Sequence, residues 1–237
     1  MRETRPSREL ALDTIALLKQ VSIFSGLSAD DLADLSNRMR PRSAEAGSTI
    51  VSQEEAGDAL FVIASGKVKV VLYGETGREI ILSMLRAGDF FGEMSLLDAQ
   101  PRSANVVALE DSELLSLDRD AFRTHLLSRP ATSLAVLAEL SRRLRRADEV
   151  IGDLALLDVY ARVARAIREL AQKQGEPAEG GLLIRERPTQ QEMAGMIGTS
   201  RETVNRALSD FTRRGLLEMS GKTMLVRWGF LHKEDEV

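Results

Sequence analysis

Between residues 41 and 119 the chain breaks into short β-rich runs, at 49–51, 60–64, 67–72, 79–84, 104–108 and 113–118. Glycine-containing turns at Gly47, Gly57, Gly66, Gly74, Gly77 and Gly88 punctuate them. Short strands at regular spacing with glycine turns predict a sandwich or jelly-roll barrel, with an interior wide enough for one small ligand. The pattern on either side is helical. Residues 8–20 read as a helix, and Ser28 followed by Asp30 and Asp31 reads as the capped start of a second.

From 131 to 157 one long helix is expected. Leu137, Leu140, Leu144, Ala147, Ile151 and Leu154 recur at alternating spacings of three and four, a heptad seam about three repeats long. Charges flank it (Arg142, Arg143, Arg145, Arg146, Asp148, Glu149), which favours a parallel helix pair between two subunits over a helix packed only on its own barrel. A homodimer is therefore expected. A helix at 158–173 follows, then an acidic, glycine-rich connector at 175–181 read as a flexible loop. The last quarter reads as helix, turn, helix and a short strand pair.

Composition removes several chemistries. The 237 residues contain no cysteine, so disulfides, cysteine-ligated clusters and thiolate nucleophiles are excluded. Two histidines, His125 and His232, are too few and too far apart for a metal site, and His125 reads as an ordinary packing residue. No apolar run approaches membrane-spanning length and the N-terminus lacks a signal-like apolar segment, so a cytoplasmic protein without membrane contact is expected. Nothing resembles a nucleophile–base pair or a catalytic carboxylate pair, and an enzyme is not expected. The net charge of -4 argues weakly against nucleic acid, yet residues 188–229 carry six Lys/Arg against four acids. A locally basic module suits DNA even on an acidic protein.

The segment 91–104, FGEMSLLDAQPRSA, carries a glutamate and an arginine among Phe90, Phe91, Met94, Leu96 and Leu97, which should draw it into a core. Buried charges need partners. An internal Glu93–Arg102 ion pair is one answer. A ligand with a hydroxyl at one end and a phosphate at the other is the better one. Arg102 offers a planar cationic fork for phosphate oxygens and Ser103 a hydroxyl beside it. Glu93 accepts from ribose hydroxyls. Gly92 permits close backbone approach, and a helix starting near Glu93 would aim its amides at the anion. Met94, Ser95 and Ala104 complete the candidate pocket.

Residues 188–208 have the layout of a helix-turn-helix. Thr189 with Glu192 makes a capping box, Ala194 is small where two helices approach, Gly198 permits the turn and Ser200 caps the second helix. Val204 and Leu208 should face the core, leaving Arg201, Glu202, Asn205 and Arg206 outside, at the end that meets base edges in a major groove. Arg can pair bidentately with guanine and Glu can accept from cytosine. Thr189, Gln190, Ser200 and Thr203 sit where phosphate contacts would fix register.

FGEMSLLDAQPRSANV resembles the phosphate-binding cassette of cyclic-nucleotide-binding domains, and residues 59–72 and 86–91 resemble the flanking strands and turn. Ser200-Arg201-Glu202-Thr203-Val204 with Arg206 resembles the recognition pattern of Crp/Fnr winged-helix transcription regulators, and Gly221-Lys222-Thr223 the turn of their wing. The resemblance implies an α+β chain: an N-terminal cyclic-nucleotide-binding β jelly roll (1–130), a long central dimerisation helix (131–157) and a C-terminal winged helix-turn-helix (158–237). It also implies an allosteric regulator whose ligand repositions the DNA-binding heads. The expected DNA is an inverted repeat of TGTGA-like half-sites read by Arg201, Glu202 and Arg206, with Lys222 on the wing and RNA polymerase as a further partner. Whether transcription rises or falls is left open.

Cyclic AMP is the effector the resemblance implies, with no metal. In cyclic-AMP-dependent members the central helix supplies an arginine and, four and five residues on, a Thr-Ser pair near the adenine. Arg143 matches here, but Ala147 and Asp148 replace the hydroxyls. Asp148 can accept from the adenine amino group, or from two guanine N–H groups with Arg143, Arg145 or Arg146 reaching the other edge. It can equally pair with Arg145 on a helix surface. Cyclic GMP, cyclic di-GMP and a ligand-independent regulator therefore stay open.

Overall fold

The structure, a computed structural model, describes residues 8–75 and 77–231, with side chains from residue 14. The N-terminal stretch 1–7 and His232 considered above lie outside the described residues. The chain divides into two compact units, one formed by residues up to 72 and 82–145, the other by 73–81 and 146 onward.

The first unit opens with helices α1 (Arg8–Gln20) and α2 (Ala29–Arg38). Ser28 caps α2 as expected, its hydroxyl accepting from the Asp31 amide. Eight strands follow: β1 (Arg40–Ala44), β2 (Thr49–Val51), β3 (Ala59–Ser65), β4 (Lys67–Tyr73), β5 (Glu79–Arg86), β6 (Phe90–Phe91), β7 (Asn105–Ala108) and β8 (Ser112–Asp118). They form two four-stranded sheets, ordered β1-β8-β3-β6 and β2-β7-β4-β5. Val51, Val68 and Val106 from one sheet share a buried cluster with Ile63, Phe91 and Leu114 from the other, as in a jelly roll. The short helix α3 (Met94–Asp98) sits between β6 and β7, and α4 (Arg119–Ser128) follows β8. Helix α5 (Pro130–Leu156) crosses from one unit into the other.

The six strands read from the sequence are present, but the reading missed β1 and β6. Strand β1 is RPRSA, exposed over four of its five residues, and lies at a sheet edge. Proline and charge are what an edge strand carries to discourage further pairing, so no alternating apolar pattern marks it.

The second unit contains α6 (Val159–Gln174), β9 (Glu176–Ala178), β10 (Gly181–Ile184), α7 (Gln190–Ile197), α8 (Arg201–Arg213), β11 (Leu217–Ser220), β12 (Thr223–Arg227) and α9 (Trp228–Leu231). Its core joins Val163, Ala164 and Ile167 of α6 to Met193 and Ala194 of α7 and to Val204, Leu208 and Phe211 of α8. Strands β11, β12, β10 and β9 make one antiparallel sheet. The connector read as a loop is therefore partly wrong: residues 176–178 pair with β10, again as an edge strand carrying a proline, Pro177.

The seam on α5 divides. Val136 and Thr132 are buried against the first unit's core, with Leu140 packed beside them. Leu137, Leu144, Ile151 and Leu154 are each more than half exposed in the single chain. Packing on the chain's own barrel thus explains Leu140 and leaves most of the seam uncovered. Among the described residues no helix is long and apolar enough to cross a membrane.

Candidate functional site

The 91–104 segment packs more selectively than expected. Phe90, Phe91 and Leu96 are buried, whereas Met94 and Leu97 are exposed, because a five-residue helix has room for only one inward face. Gly92, with φ +89°, turns the chain from β6 into α3. Glu93 is the helix's N-cap and its carbonyl accepts from the Leu96 and Leu97 amides, but its side chain makes no capping bond and turns inward instead. It is 1% exposed.

Glu93 and Arg102 do not pair with each other. Glu93 Oε1 accepts from Arg143 Nη1 at 3.0 Å. Its second oxygen, Oε2, is buried without a partner. Arg143 is held from three sides: Nη1 on Glu93, Nη2 on the Phe90 carbonyl and Nε on Glu139 Oε1, each at 3.0 Å. The guanidinium also lies over the Phe90 ring, 4.7 Å from its centre. Burial pushes the Glu93 carboxyl above the usual range, Arg143 works against that shift, and the Glu139 carboxylate adds to it.

Arg102, 7% exposed, is clamped by neutral oxygens. Nη1 donates to the Gly92 carbonyl at 2.7 Å and to Ser95 Oγ at 2.9 Å, and Nη2 to the Ala59 carbonyl at 2.8 Å. Asp58 lies 3.9 Å away and is largely exposed. Burial pulls the guanidinium's pKa down, opposed by the charges of Asp58 and Glu93. Loop 52–58 is tied to the same residue, since the Glu54 amide donates to the Arg102 carbonyl and the Arg102 amide donates to the Glu55 carbonyl, both at 2.9 Å. A Cβ on Gly57 would overlap Ser95 Oγ and the Arg102 guanidinium. Ser103 is exposed, its hydroxyl 3.8 Å from Met94 Sδ, and Ala104 is buried.

The structure brings Gly92, Glu93, Ser95 and Arg102 together in one cluster, and Arg143, expected near the base, binds Glu93 there. Nothing in the sequence reading warned of Gly57, the Ala59 carbonyl or Glu139. Only the i,i+4 spacing of Glu139 and Arg143 signalled their pairing. Ala147 and Asp148 lie one turn beyond Arg143, both exposed. Among the ion pairs of the described residues, none joins Asp148 to Arg145.

In the second unit the capping box is complete: Thr189 Oγ1 accepts from the Glu192 amide and Glu192 Oε2 from the Thr189 amide. Gly198, with φ +72°, ends α7. Ser200 caps α8, accepting from the Thr203 amide at 3.2 Å. Val204, Ala207, Leu208 and Phe211 are buried, and Arg201, Glu202, Asn205 and Arg206 stand exposed on the other side. The face is preorganised by local bonds, Gln190 to Asn205 Oδ1 at 2.9 Å and Arg206 to Thr203 Oγ1 at 3.2 Å. Its own amide and Ser200 pull the Glu202 carboxyl below the usual range. Lys222 is exposed in the turn between β11 and β12, and Arg187 pins that turn through the Lys222 and Gly221 carbonyls.

Comparison with known proteins covers both regions of the chain. Residues 41–129 match the cyclic nucleotide-binding domain and residues 161–232 the Crp-like helix-turn-helix domain. The chain is 38% identical, over 89% of its length and 94% of the relative's, to the CRP-like cAMP-activated global transcriptional regulator of Mycobacterium tuberculosis. The crystal structure of Thermus thermophilus catabolite activator protein is 35% identical and superposes with a TM-score of 0.53, over 87% of this chain and 93% of that one. The c-di-GMP responsive global regulator CLP of Xanthomonas campestris, 24% identical, shares the fold at a TM-score of 0.74 over 84% of this chain and 99% of that one. The chain belongs to the Crp/Fnr family of DNA-binding transcription regulators.

Proposed function

We propose that the protein is a cytoplasmic, homodimeric regulator in which a cyclic nucleotide, cyclic AMP, binds the 92–104 cluster and repositions the winged helices on DNA. The observation that carries the reading is the buried, unpartnered Glu93 Oε2 beside a buried arginine it does not pair with. An unmet buried acceptor costs about 1–3 kcal/mol, and a ligand hydroxyl meets it. Arg102 then exchanges part of its carbonyl clamp for phosphate oxygens, with Ser103 beside it. Gly92, Met94, Ser95 and Ala104 shape the wall. A family role in transcription leaves no call for catalysis.

Cyclic AMP is preferred because the Mycobacterium tuberculosis relative is described as cAMP-activated and is 38% identical. Arg143 belongs to the sugar end through Glu93, and Ala147 with Asp148 is assigned to the base. The chain divides its work among a sensor (1–130), a dimerisation helix (131–157) and a DNA-binding region (158–237). The exposed leucines of α5 are covered by a second copy. Arg201, Glu202 and Arg206 read TGTGA-like half-sites, with Thr189, Gln190, Ser200, Thr203, Asn205 and Lys222 on or near the backbone, and RNA polymerase is a further partner.

Calorimetry of the purified protein against cyclic AMP, cyclic GMP and cyclic di-GMP tests the assignment. Tightest binding of cyclic AMP, with a gain in specific DNA affinity, is expected. A preference for either guanine nucleotide moves the assignment to Asp148 as a guanine reader. No binding of any of the three makes the protein a ligand-independent regulator.

A further inference from the structure

Glu139, on α5 and outside the cassette, reaches this chemistry through Arg143. Its side chain is only 16% exposed although α5 carries it one turn before Arg143. Oε1 takes the Nε–H of Arg143 at 3.0 Å, and Oε2 lies 2.6 Å from Arg142 Nη2. A glutamate four residues before its arginine is the favourable order on a helix. A pair made only for helix stability would sit on the solvated face, whereas this one braces a guanidinium whose other edge reaches a fully buried carboxylate.

Arg143 has several rotatable bonds, and its geometry here is set from three directions. Phe90 fixes the plane of the guanidinium and supplies one carbonyl, Glu93 takes one edge, and Glu139 takes Nε–H. The Nε bond decides which edge points at Glu93. With Nη1 on Glu93 Oε1, the carboxylate is left with Oε2 as its open acceptor. A cyclic 3′,5′-monophosphate has one free ribose hydroxyl, the 2′, to offer it.

We propose that Glu139 is a positioning residue for the ligand's 2′-hydroxyl, acting through Arg143 on Glu93 without touching the ligand. The assignment rests on the reading of Glu93 as the sugar acceptor. Glu139 acts in two opposed ways. Its hydrogen bond holds Arg143 where it supports ionised Glu93. Its negative charge faces the same carboxylate and disfavours ionisation, alongside Arg143 and Arg102, which favour it. Glutamine keeps the acceptor and removes the charge, and alanine removes both.

The test is calorimetry with cyclic AMP and 2′-deoxy cyclic AMP on the full-length wild type, Glu139→Ala and Glu139→Gln, with thermal melts as a check on folding. Glu139→Ala is expected to bind cyclic AMP about three- to tenfold more weakly, the scale of one charge-assisted bond loosened rather than lost, and to bind the deoxy analogue as the wild type does. A general loss of packing would weaken both ligands alike. Glu139→Gln is expected to bind cyclic AMP within about twofold of wild type at neutral pH. Its binding should persist to lower pH, because Glu93 loses a neighbouring negative charge and stays ionised further into acid. Wild-type binding with the same affinities and acid limb in both variants overturns the role of Glu139 alone. Failure of the wild type to distinguish cyclic AMP from its deoxy analogue overturns the reading of Glu93, and this inference with it.

Discussion

Gly92 lies so close to Arg102 that a Cβ built on it would stand 2.6 Å from guanidinium Nη1 and 2.9 Å from the Ala59 carbonyl. The residue also has φ +89°, which side chains rarely adopt. Gly92→Ala therefore meets two obstacles, a strained backbone costing about 1–3 kcal/mol and displacement of the buried fork. A lower melting temperature together with at least tenfold weaker cyclic AMP binding is expected. Calorimetry and a thermal melt on the same sample check it. A variant that binds normally would show that Arg102 moves away from Gly92 without cost.

Arg102→Lys keeps the charge and loses the fork. Lysine cannot serve the Gly92, Ser95 and Ala59 oxygens and two phosphate oxygens from one ammonium in fixed geometry. Cyclic AMP affinity should fall by about 1.5–3 kcal/mol, the worth of a charged hydrogen bond. Nucleotide-dependent DNA binding should be lost while sedimentation still shows the dimer. Undiminished affinity would sink the phosphate assignment.

The same residues mark how far sequence alone reaches. The capping box at Thr189 and the cap at Ser200 are local signals, each depending on neighbours within a few positions, and both form. The glycine–glutamate and arginine–serine pairs are local too, but Ser103 lies against Met94 and Arg102 takes Ser95 instead. What escaped depends on distant chain. Gly57 matters because of Ser95 and Arg102, some forty residues on, and Glu93 finds Arg143 across fifty residues. Strands β1 and β9 escaped because edge strands avoid the apolar alternation by which strands are read. The half-exposed seam of α5 shows the reverse case, a periodicity that a single chain does not satisfy.

Leu144 is 64% exposed on α5, midway along that seam. Leu144 belongs to none of the buried clusters of one chain, but in a helix pair Leu144→Asp places an unpaired carboxylate at an apolar contact. The variant is expected to keep its melting profile at high dilution and to sediment as a monomer where the wild type is a dimer. A dimer of undiminished stability would place the interface elsewhere.

His125 should give stability a pH dependence in the slightly acid range. Its ring meets Phe24 edge-on at 5.9 Å, and Nε2 lies 3.2 Å from Thr132 Oγ1. Burial pulls its pKa below the ordinary value, and Arg129 adds to this, opposed by Asp31 and Asp34. The unfolded chain therefore takes up a proton near pH 6.5 that the folded chain refuses. Stability should decline as pH falls below about 6.5 and level off once the folded form also protonates. Urea denaturation between pH 7.5 and about 5 should show this slope reduced in His125→Gln. An unchanged slope would assign the effect to another group.

Arg201 is the first residue of α8, directly after the Ser200 cap, and is exposed. Two roles are open to an arginine there, a fork on a guanine edge or a charge near phosphate, and they differ in what salt and sequence do. A base reader discriminates, so Arg201→Ala should cost about 1–3 kcal/mol on a TGTGA-type inverted repeat and much less on a scrambled duplex. A phosphate contact would weaken both duplexes alike and flatten the salt dependence by about one ion per site. Glu202→Ala, one position on, should relax discrimination at the opposing base pair without weakening non-specific binding, since removing a carboxylate cannot remove an attraction to phosphate. Anisotropy titrations on the two duplexes at several salt concentrations separate the cases. Equal losses on both sequences for Arg201→Ala would take this residue out of base reading and leave α8 a backbone-binding helix at that end.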